Sequence, residues 1–362
     1  EEEDVEMEGT EGGAGEAKAK VKATKKAYQG ATVLSPKTGF YTTPVATLDF
    51  ASLYPSIMLA HNLCYSSILT EAQARLLPSS SWKRAGNGTI FRTDRKGVLQ
   101  GILETLLAAR KRIRAQMEGM EDKAQLAVLN GMQLACKVVA NSVYGFTGTG
   151  EKGLLPCVEI ASAVTNYGRQ MIEATKATVE SKFPGTVVVY GDTDSVMCRL
   201  PLEEVKGIEE GWGGWLEKAR ATYDPSLLPS IPPADVLKRA IILFALAHGK
   251  EMADLVTQLF KRPIKLEFEK VYSPYLLADK KRYAGLYWTK CEKPDKLDVK
   301  GLETVRRDIV PFGANTLKGC LDLIIRHRDV AKAVELAKGR ILQLRLSEVS
   351  LTDLIASKRL SD

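Results

Sequence analysis

Three acids in this chain stand where carboxylates can act together. Asp49 closes the apolar run Val-Ala-Thr-Leu-Asp-Phe at 45–50, and Asp192 and Asp194 follow the β-branched run Thr-Val-Val-Val-Tyr at 186–190. Both runs have strand length, so the acids fall at strand ends beside turns, rigid places from which to project a ligand. Carboxylates from neighbouring strands can hold two magnesium ions ~3.5–4 Å apart, which steadies the attacking and leaving oxygens of an in-line phosphoryl displacement. Gly191-Asp192-Thr193-Asp194 also has a plainer reading, because Asp and Gly are ordinary hairpin-turn residues and D-x-D occurs in unrelated metal-dependent transferases. A second set is cationic and polar. Lys137, Asn141 and Tyr144 recur at i, i+4 and i+7, one face of a helix, and Arg110 and Arg114 are four apart on another. Taken alone, Arg-Lys-Arg-Ile-Arg at 110–114 describes a solvated helix face. His61, His248 and His327 have no second ligand type beside them and take no role.

The elements that must position these groups are legible from pattern. Residues 52–63 turn toward helix after Asp49. Residues 101–117 carry leucines on one side and bases on the other, an amphipathic helix, and 125–143 read as a second. Gly119 and the polar Glu-Asp-Lys at 121–123 join them tightly, which predicts an antiparallel helical hairpin ending at Tyr144-Gly145. A third helix is expected over 156–181. Strands at 186–190 and 195–200 would form a hairpin with the Asp192–Asp194 turn at its tip. Residues 205–235, rich in Gly, Trp and Pro, read as a loop insertion before a helix near 237–260; strands follow at 264–272 and 282–290, and helices from Thr304. No internal repeat is present.

With 362 residues and 45% hydrophobic content, the chain can bury a sizeable core in two or three subdomains. Its longest apolar run, Ala240 to Ala247, is bounded by Lys238, Arg239 and Lys250, which argues against a membrane partner. The start at Glu1 reads as an excerpt of a longer protein. Six cysteines without a C-x-x-C pair read as reduced thiols of a nuclear or cytosolic protein. Residues 1–17 hold eight acids and no base, and without them 51 bases face 36 acids, a net +15 in place of +7. That surplus suits a polyanion such as nucleic acid, or simple solubility. The first 27 residues have too little to bury and are expected to be a disordered tail or linker.

Asp-Phe-Ala-Ser-Leu-Tyr-Pro-Ser-Ile at 49–57, Lys-Val-Val-Ala-Asn-Ser-Val-Tyr-Gly at 137–145 and Tyr-Gly-Asp-Thr-Asp-Ser at 190–195 resemble the three polymerase motifs of the family B DNA polymerases, in that family's order. The segments 266–286 and 300–308 are most similar to its delta branch, and the likeness runs from about Tyr28 to Asp308. The resemblance implies an α/β (α+β) right-hand polymerase fold: an antiparallel-sheet palm from 28–98 and 149–303, a helical-hairpin fingers insertion at 99–148, and the start of a thumb over 304–362.

It implies further that Asp49 and Asp194, with the backbone of Phe50, hold two Mg2+ ions while Asp192 supports the site. Ser52 and Leu53 would lie beside the triphosphate, and Tyr54 under the sugar, leaving no room for a ribose 2′-hydroxyl. Arg110, Arg114, Lys137 and Asn141 would form a wall for the triphosphate, with Lys137 able to protonate the leaving group. Tyr144 would press on the nascent pair's minor-groove side, and Gly145 would let the chain approach closely. Lys280, Lys281, Arg282 and Tyr283 would grip primer-template DNA behind the site. Glu267 and Glu269 read as surface acids of a strand and are left out.

The implied substrates are primer-template DNA and deoxynucleoside triphosphates, with accessory replication subunits and a sliding clamp reached through parts of the protein outside this chain. The implied compartment is the nucleus. Arg114 departs from the family's usual lysine, residues 205–235 are longer than its connection, and nothing here resembles its proofreading exonuclease or cysteine-rich tail. Another family B branch such as zeta, or an inactive palm that only binds DNA, are the rival readings.

Overall fold

A computed structural model describes residues 29–149, 153, 155–201 and 233–357. The acidic stretch at 1–27 and most of the 205–235 insertion lie outside the described residues; the last residues of that insertion, 233–235, open a helix. Seven strands form one antiparallel sheet: β1 (Gly39–Tyr41), β2 (Val45–Phe50), β6 (Val187–Asp192), β7 (Ser195–Arg199), β8 (Leu266–Asp279), β9 (Arg282–Trp288) and β10 (Lys296–Lys300). Their order is β10-β9-β8-β2-β7-β6, with β1 against the far half of β8. The run that carries Asp49 is thus central: β2 pairs with β7 on one side and β8 on the other, and five of its six residues are buried apolar or hydroxyl side chains.

Both faces of the sheet are covered. Helices α1 (Leu53–His61), α5 (Val158–Lys182) and α6 (Pro233–Thr257) pack a large aliphatic core on one face, with Leu48, Ile57, Ile160, Leu246 and Leu266 nearly inaccessible. The other face is tyrosine-rich, built on Tyr190, Tyr272 and Tyr275 with Val45 and Met197. Burying phenols requires partners for their hydroxyls. Tyr272 donates to Asp298 at 2.6 Å, and Tyr275 points at the Met197 sulfur at 2.9 Å.

Between α1 and the helical hairpin lies a region the pattern did not resolve, with the short helix α2 (Glu71–Arg75) and a separate three-stranded sheet, β3 (Ile68–Leu69), β5 (Ile90–Arg92) and β4 (Trp82–Arg84), in that spatial order. Strands of two or three residues show no periodicity to read.

The expected hairpin is present as α3 (Val98–Met117) and α4 (Lys123–Gly148), turned by Gly119 at φ +76° and capped by Asp122, whose side chain accepts from the Ala124 amide at 2.8 Å. It does not end at Tyr144-Gly145. Helix α4 runs on to Gly148 because Thr147 is fully buried, its hydroxyl donates to the Tyr144 carbonyl at 2.7 Å, and its own carbonyl accepts from Cys157 at 2.9 Å. Tertiary burial overrides the glycine penalty of about 1 kcal/mol per residue. By length and composition α4 alone, among the described residues, is apolar enough to cross a membrane, yet Asn130, Gln133, Lys137 and Asn141 interrupt it. Beyond β10, a strand missing from the sequence reading, come α7 (Pro311–His327) and α8 (Val330–Arg345).

Candidate active site

Asp49 sits one residue from the end of β2, opposite Ser195 on β7 and Glu267 on β8. Asp194 lies in the β6–β7 turn, which is tightened by Thr193 in the left-handed region at φ 59° and by the Asp194 amide donating to the Asp192 carbonyl at 2.6 Å. A main-chain bond ties the two loci together, since the Phe50 amide donates to the Asp194 carbonyl at 2.8 Å. The chain then reverses through Ser52 at φ 47°, and the Ala51 amide reaches the Lys265 carbonyl at 2.9 Å, so α1 starts immediately beside the acids. The chain at Asp49 and at Asp194 is therefore brought together from sequence positions far apart, near enough for the Asp194 charge to act on Asp49.

Their electrostatics are those of an anionic pair short of cations. Burial, then the Asp194 and Glu269 charges, push the Asp49 carboxyl up to about 7, against pulls from Lys270 and Lys137. Asp194 is also raised, first by burial and then by Asp192 and Glu269, while Lys137 lowers it. Each influence acts between charges in a medium less screening than water.

Asp192 behaves differently. Lys281 Nζ donates to both its oxygens at 2.7 and 2.8 Å, and Thr193 Oγ1 donates to Oδ1 at 3.1 Å. It faces the β8–β9 turn, in keeping with a supporting place. Lys280 and Lys281 form that turn, with Lys281 at φ 60° and its amide donating to the Tyr190 hydroxyl at 2.7 Å. Arg282 is paired with Glu303, and Tyr283 packs into the tyrosine face with its ring centroid 5.6 Å from that of Tyr275. Of this segment, then, Lys280 and Lys281 are exposed while Arg282 and Tyr283 are partly engaged inside the fold.

From the hairpin, exposed Lys137 reaches the acids electrostatically, and Asn141 lies one turn on, also exposed. Arg110 is half-buried, donates to Gln133 Oε1 at 3.2 Å and lies near Arg114 and Glu267, whose charges act on it after burial has lowered its affinity for the proton. The Tyr54 and Tyr144 rings meet at 4.2 Å between centroids with their planes tilted by 37°. Leu53 and Tyr54 pack against Gly168 of α5. Gly145 is exposed, and an added Cβ there would meet nothing, so the fold itself does not call for glycine at that position.

Two residues were missed. Glu269, near the site by resemblance but left out as a surface acid, is indeed exposed, yet its charge acts on both Asp49 and Asp194. Between Thr47 and Leu48 the pairing steps from Lys270 to Phe268, leaving Glu269 without a partner in a β-bulge, a device that re-aims a side chain. Lys270 is buried, pairs with Glu269 at 3.2 Å and lies over the Tyr272 and Tyr287 rings at 5.3 and 5.1 Å. The alternation of Leu-Glu-Phe-Glu-Lys at 266–270 was a usable signal for a shared face, though not for the bulge.

Among the described residues no group of three or more His, Cys, Asp or Glu side chains is arranged to hold an ion. Magnesium sites commonly take only one or two carboxylates and complete their shell with water and substrate phosphates. Asp49 and Asp194 fit such ions as half-buried acids whose pKa values are raised by burial and by neighbouring acids.

DNA polymerase family B matches the chain over residues 10–211 and 239–362. The DNA polymerase delta catalytic subunit of Oryza sativa subsp. japonica is 46% identical over 345 residues, 92% of this chain and 28% of that protein. The corresponding subunits of Glycine max and Caenorhabditis elegans are 45% and 44% identical, again over 92% of this chain and 28% of theirs. The chain thus spans less than a third of the length of these relatives.

Proposed function

Because this chain belongs to DNA polymerase family B, we propose that it forms the nucleotidyl-transfer centre of a template-directed, delta-type DNA polymerase that adds deoxynucleotides to a primer 3′-hydroxyl and releases pyrophosphate. The observation that carries the reading is the convergence of Asp49 and Asp194, locked by the Phe50–Asp194 main-chain bond and both raised in pKa by burial and neighbouring acids.

In this reading the Asp49 and Asp194 carboxylates and the Phe50 backbone hold two Mg2+ ions. Bound there, the ions lower the pKa of the primer hydroxyl and neutralise the triphosphate. Lys137, Arg110 and Arg114 face the triphosphate with Asn141 and supply charge to the leaving pyrophosphate, and Lys137 is placed to give it a proton. Ser52 and Leu53, at the left-handed entry to α1, lie beside the phosphates. Tyr54, braced by Tyr144, closes the space a ribose 2′-hydroxyl would need. Gly145 and the Lys280–Tyr283 turn contact primer-template DNA without naming bases. Residues 28–98 and 149–303 then serve as palm, 99–148 as fingers and 304–362 as the start of a thumb. A nuclear setting, with replication subunits and a clamp, belongs to the same reading.

Primer extension with magnesium and the four deoxynucleotides tests the centre. Asp194→Ala should lower the rate on the order of 10²–10³-fold or more; equal extension by both proteins would remove Asp194 from the mechanism.

A further inference from the structure

Helix α1 carries the neighbourhood of the acids roughly 12 Å away, eight residues at 1.5 Å rise, from Leu53 to His61. At that far end α1, the small β3–β5 sheet, α3 and α5 enclose a pocket of about 260 Å3. Its floor is the His61 imidazole stacked flat on Tyr167, with ring centroids 3.8 Å apart and planes within 7°. Lys83 of β4, Arg95 and Lys261 stand around it with exposed side chains. Among the described residues none of these three forms an ion pair, whereas Lys96 and Glu104 in the same wall are paired with each other.

The wall is preorganised. Asn62 Nδ2 donates to the Arg92 and Arg95 carbonyls, both at 2.8 Å, and its Oδ1 accepts from the Gly97 amide at 2.9 Å, which fixes the segment bearing Arg95. Buried Gln100 donates to the Met58 and Leu63 carbonyls at 3.0 and 3.2 Å and pins α3 to α1. Like charges gathered on a rigid frame repel one another until a counter-charge arrives.

We propose that this pocket binds a phosphate-bearing anion, taken up between Lys83, Arg95 and Lys261 over the His61–Tyr167 stack. Three cations match a doubly charged group better than a single carboxylate, and ammonium and guanidinium are the usual donors to phosphate. The volume is a little under the roughly 300–1,000 Å3 of ordinary ligand clefts, which suits one phosphate and its sugar and excludes a large cofactor. Burial, with Lys83 and Lys261, holds His61 down to about 4, so the floor is a neutral ring and adds no charge of its own. The phosphate can belong to a nucleic-acid strand or to a small free anion. The site stands apart from the acids and does not depend on their assignment.

Histidine NMR decides the matter, because the chain has only three histidines. Inorganic pyrophosphate and a single-stranded oligothymidylate are titrated separately, at low salt without divalent cations. The His61 ring signals should move while those of His248 and His327 stay, and pyrophosphate bound beside Arg110 and Lys137 would leave His61 still. Movement with pyrophosphate assigns a small-anion site, and movement with the oligonucleotide alone assigns a strand contact; both support the proposal. The double variant Lys83→Gln/Lys261→Gln alters exposed side chains and should melt at the wild-type temperature. It should bind the active probe at least about tenfold more weakly, and for the oligonucleotide its salt slope should fall by about 0.7 per lysine. An unmoved His61 with both probes, or equal affinity in the double variant, overturns the proposal. Primer extension run in parallel reports on Asp194 and not on this pocket.

Discussion

Tyr54 and Tyr144 come from α1 and α4, yet their rings meet at 4.2 Å, so each limits where the other can go. A site that rejects one extra hydroxyl by shape alone discriminates roughly 10²-fold. Tyr54→Ala should therefore raise ribonucleotide insertion relative to deoxynucleotide insertion by about that factor, read from single-nucleotide extension with paired substrates; an unchanged ratio would take the sugar check away from Tyr54. His61 gives a pH prediction. Its folded-state value of about 4 lies below the ordinary 6.5, so the folded chain prefers the neutral ring. That contribution is whole above 6.5 and is lost as pH falls from there toward 4. Discounted for the part that solvent screens, wild type should lose about 2 kcal/mol more than His61→Gln between pH 7 and 4, measured by urea unfolding in phosphate-free buffer. Parallel curves for the two proteins would refute the burial argument. The strand-end places of Asp49 and Asp194 and the helical place of Lys137 were legible from apolar runs and spacing, whereas Tyr54 was singled out only by the family resemblance. The influence of Glu269 on the acids was not legible, because it depends on a one-residue bulge and on which strands pair.

The β8–β9 turn is the element that joins the site to the proposed DNA path. Lys281 bonds Asp192 from one side, and Gly301 presses on it from the other. Gly301 has φ +64°, and a Cβ there would stand 2.0 Å from the Lys281 carbonyl oxygen, a backbone atom that cannot swing aside. Gly301→Ala should cost about 1–3 kcal/mol of stability, through strain and the forced shift of the turn. It should also weaken primer-template binding in an anisotropy assay, although residue 301 lies outside the proposed contact. Full stability with full binding would show that the turn tolerates displacement. Periodicity found the α3–α4 hairpin, α5 and the β6–β7 hairpin because each repeats its apolar spacing over enough residues. It missed β3, β4 and β5, which are too short, and placed the end of α4 too early because the glycine rule cannot register that Thr147 is buried.

Charge acts on the whole molecule. Removing residues 1–17 takes the net charge from +7 to +15. The shortened chain should bind duplex DNA several-fold more tightly at 50 mM salt, and the gain should vanish near 0.5 M, where the screening length falls to about 4 Å. Filter binding at the two salt levels checks this, and a gain that persists at high salt would mean that the acids do something other than compete for the bases. The sequence by itself determined the mixed helix-and-sheet class, through local spacing, and the family, through its three motifs. Tertiary structure alone decided that β2 lies between β7 and β8, that Lys281 bonds Asp192, that Glu269 sits in a bulge whose charge acts on both acids, and that three cations without an ion pair among the described residues stand around His61. Those facts depend on strand register and on contacts between distant segments, and a shift of one residue in pairing changes them all while leaving every local pattern intact.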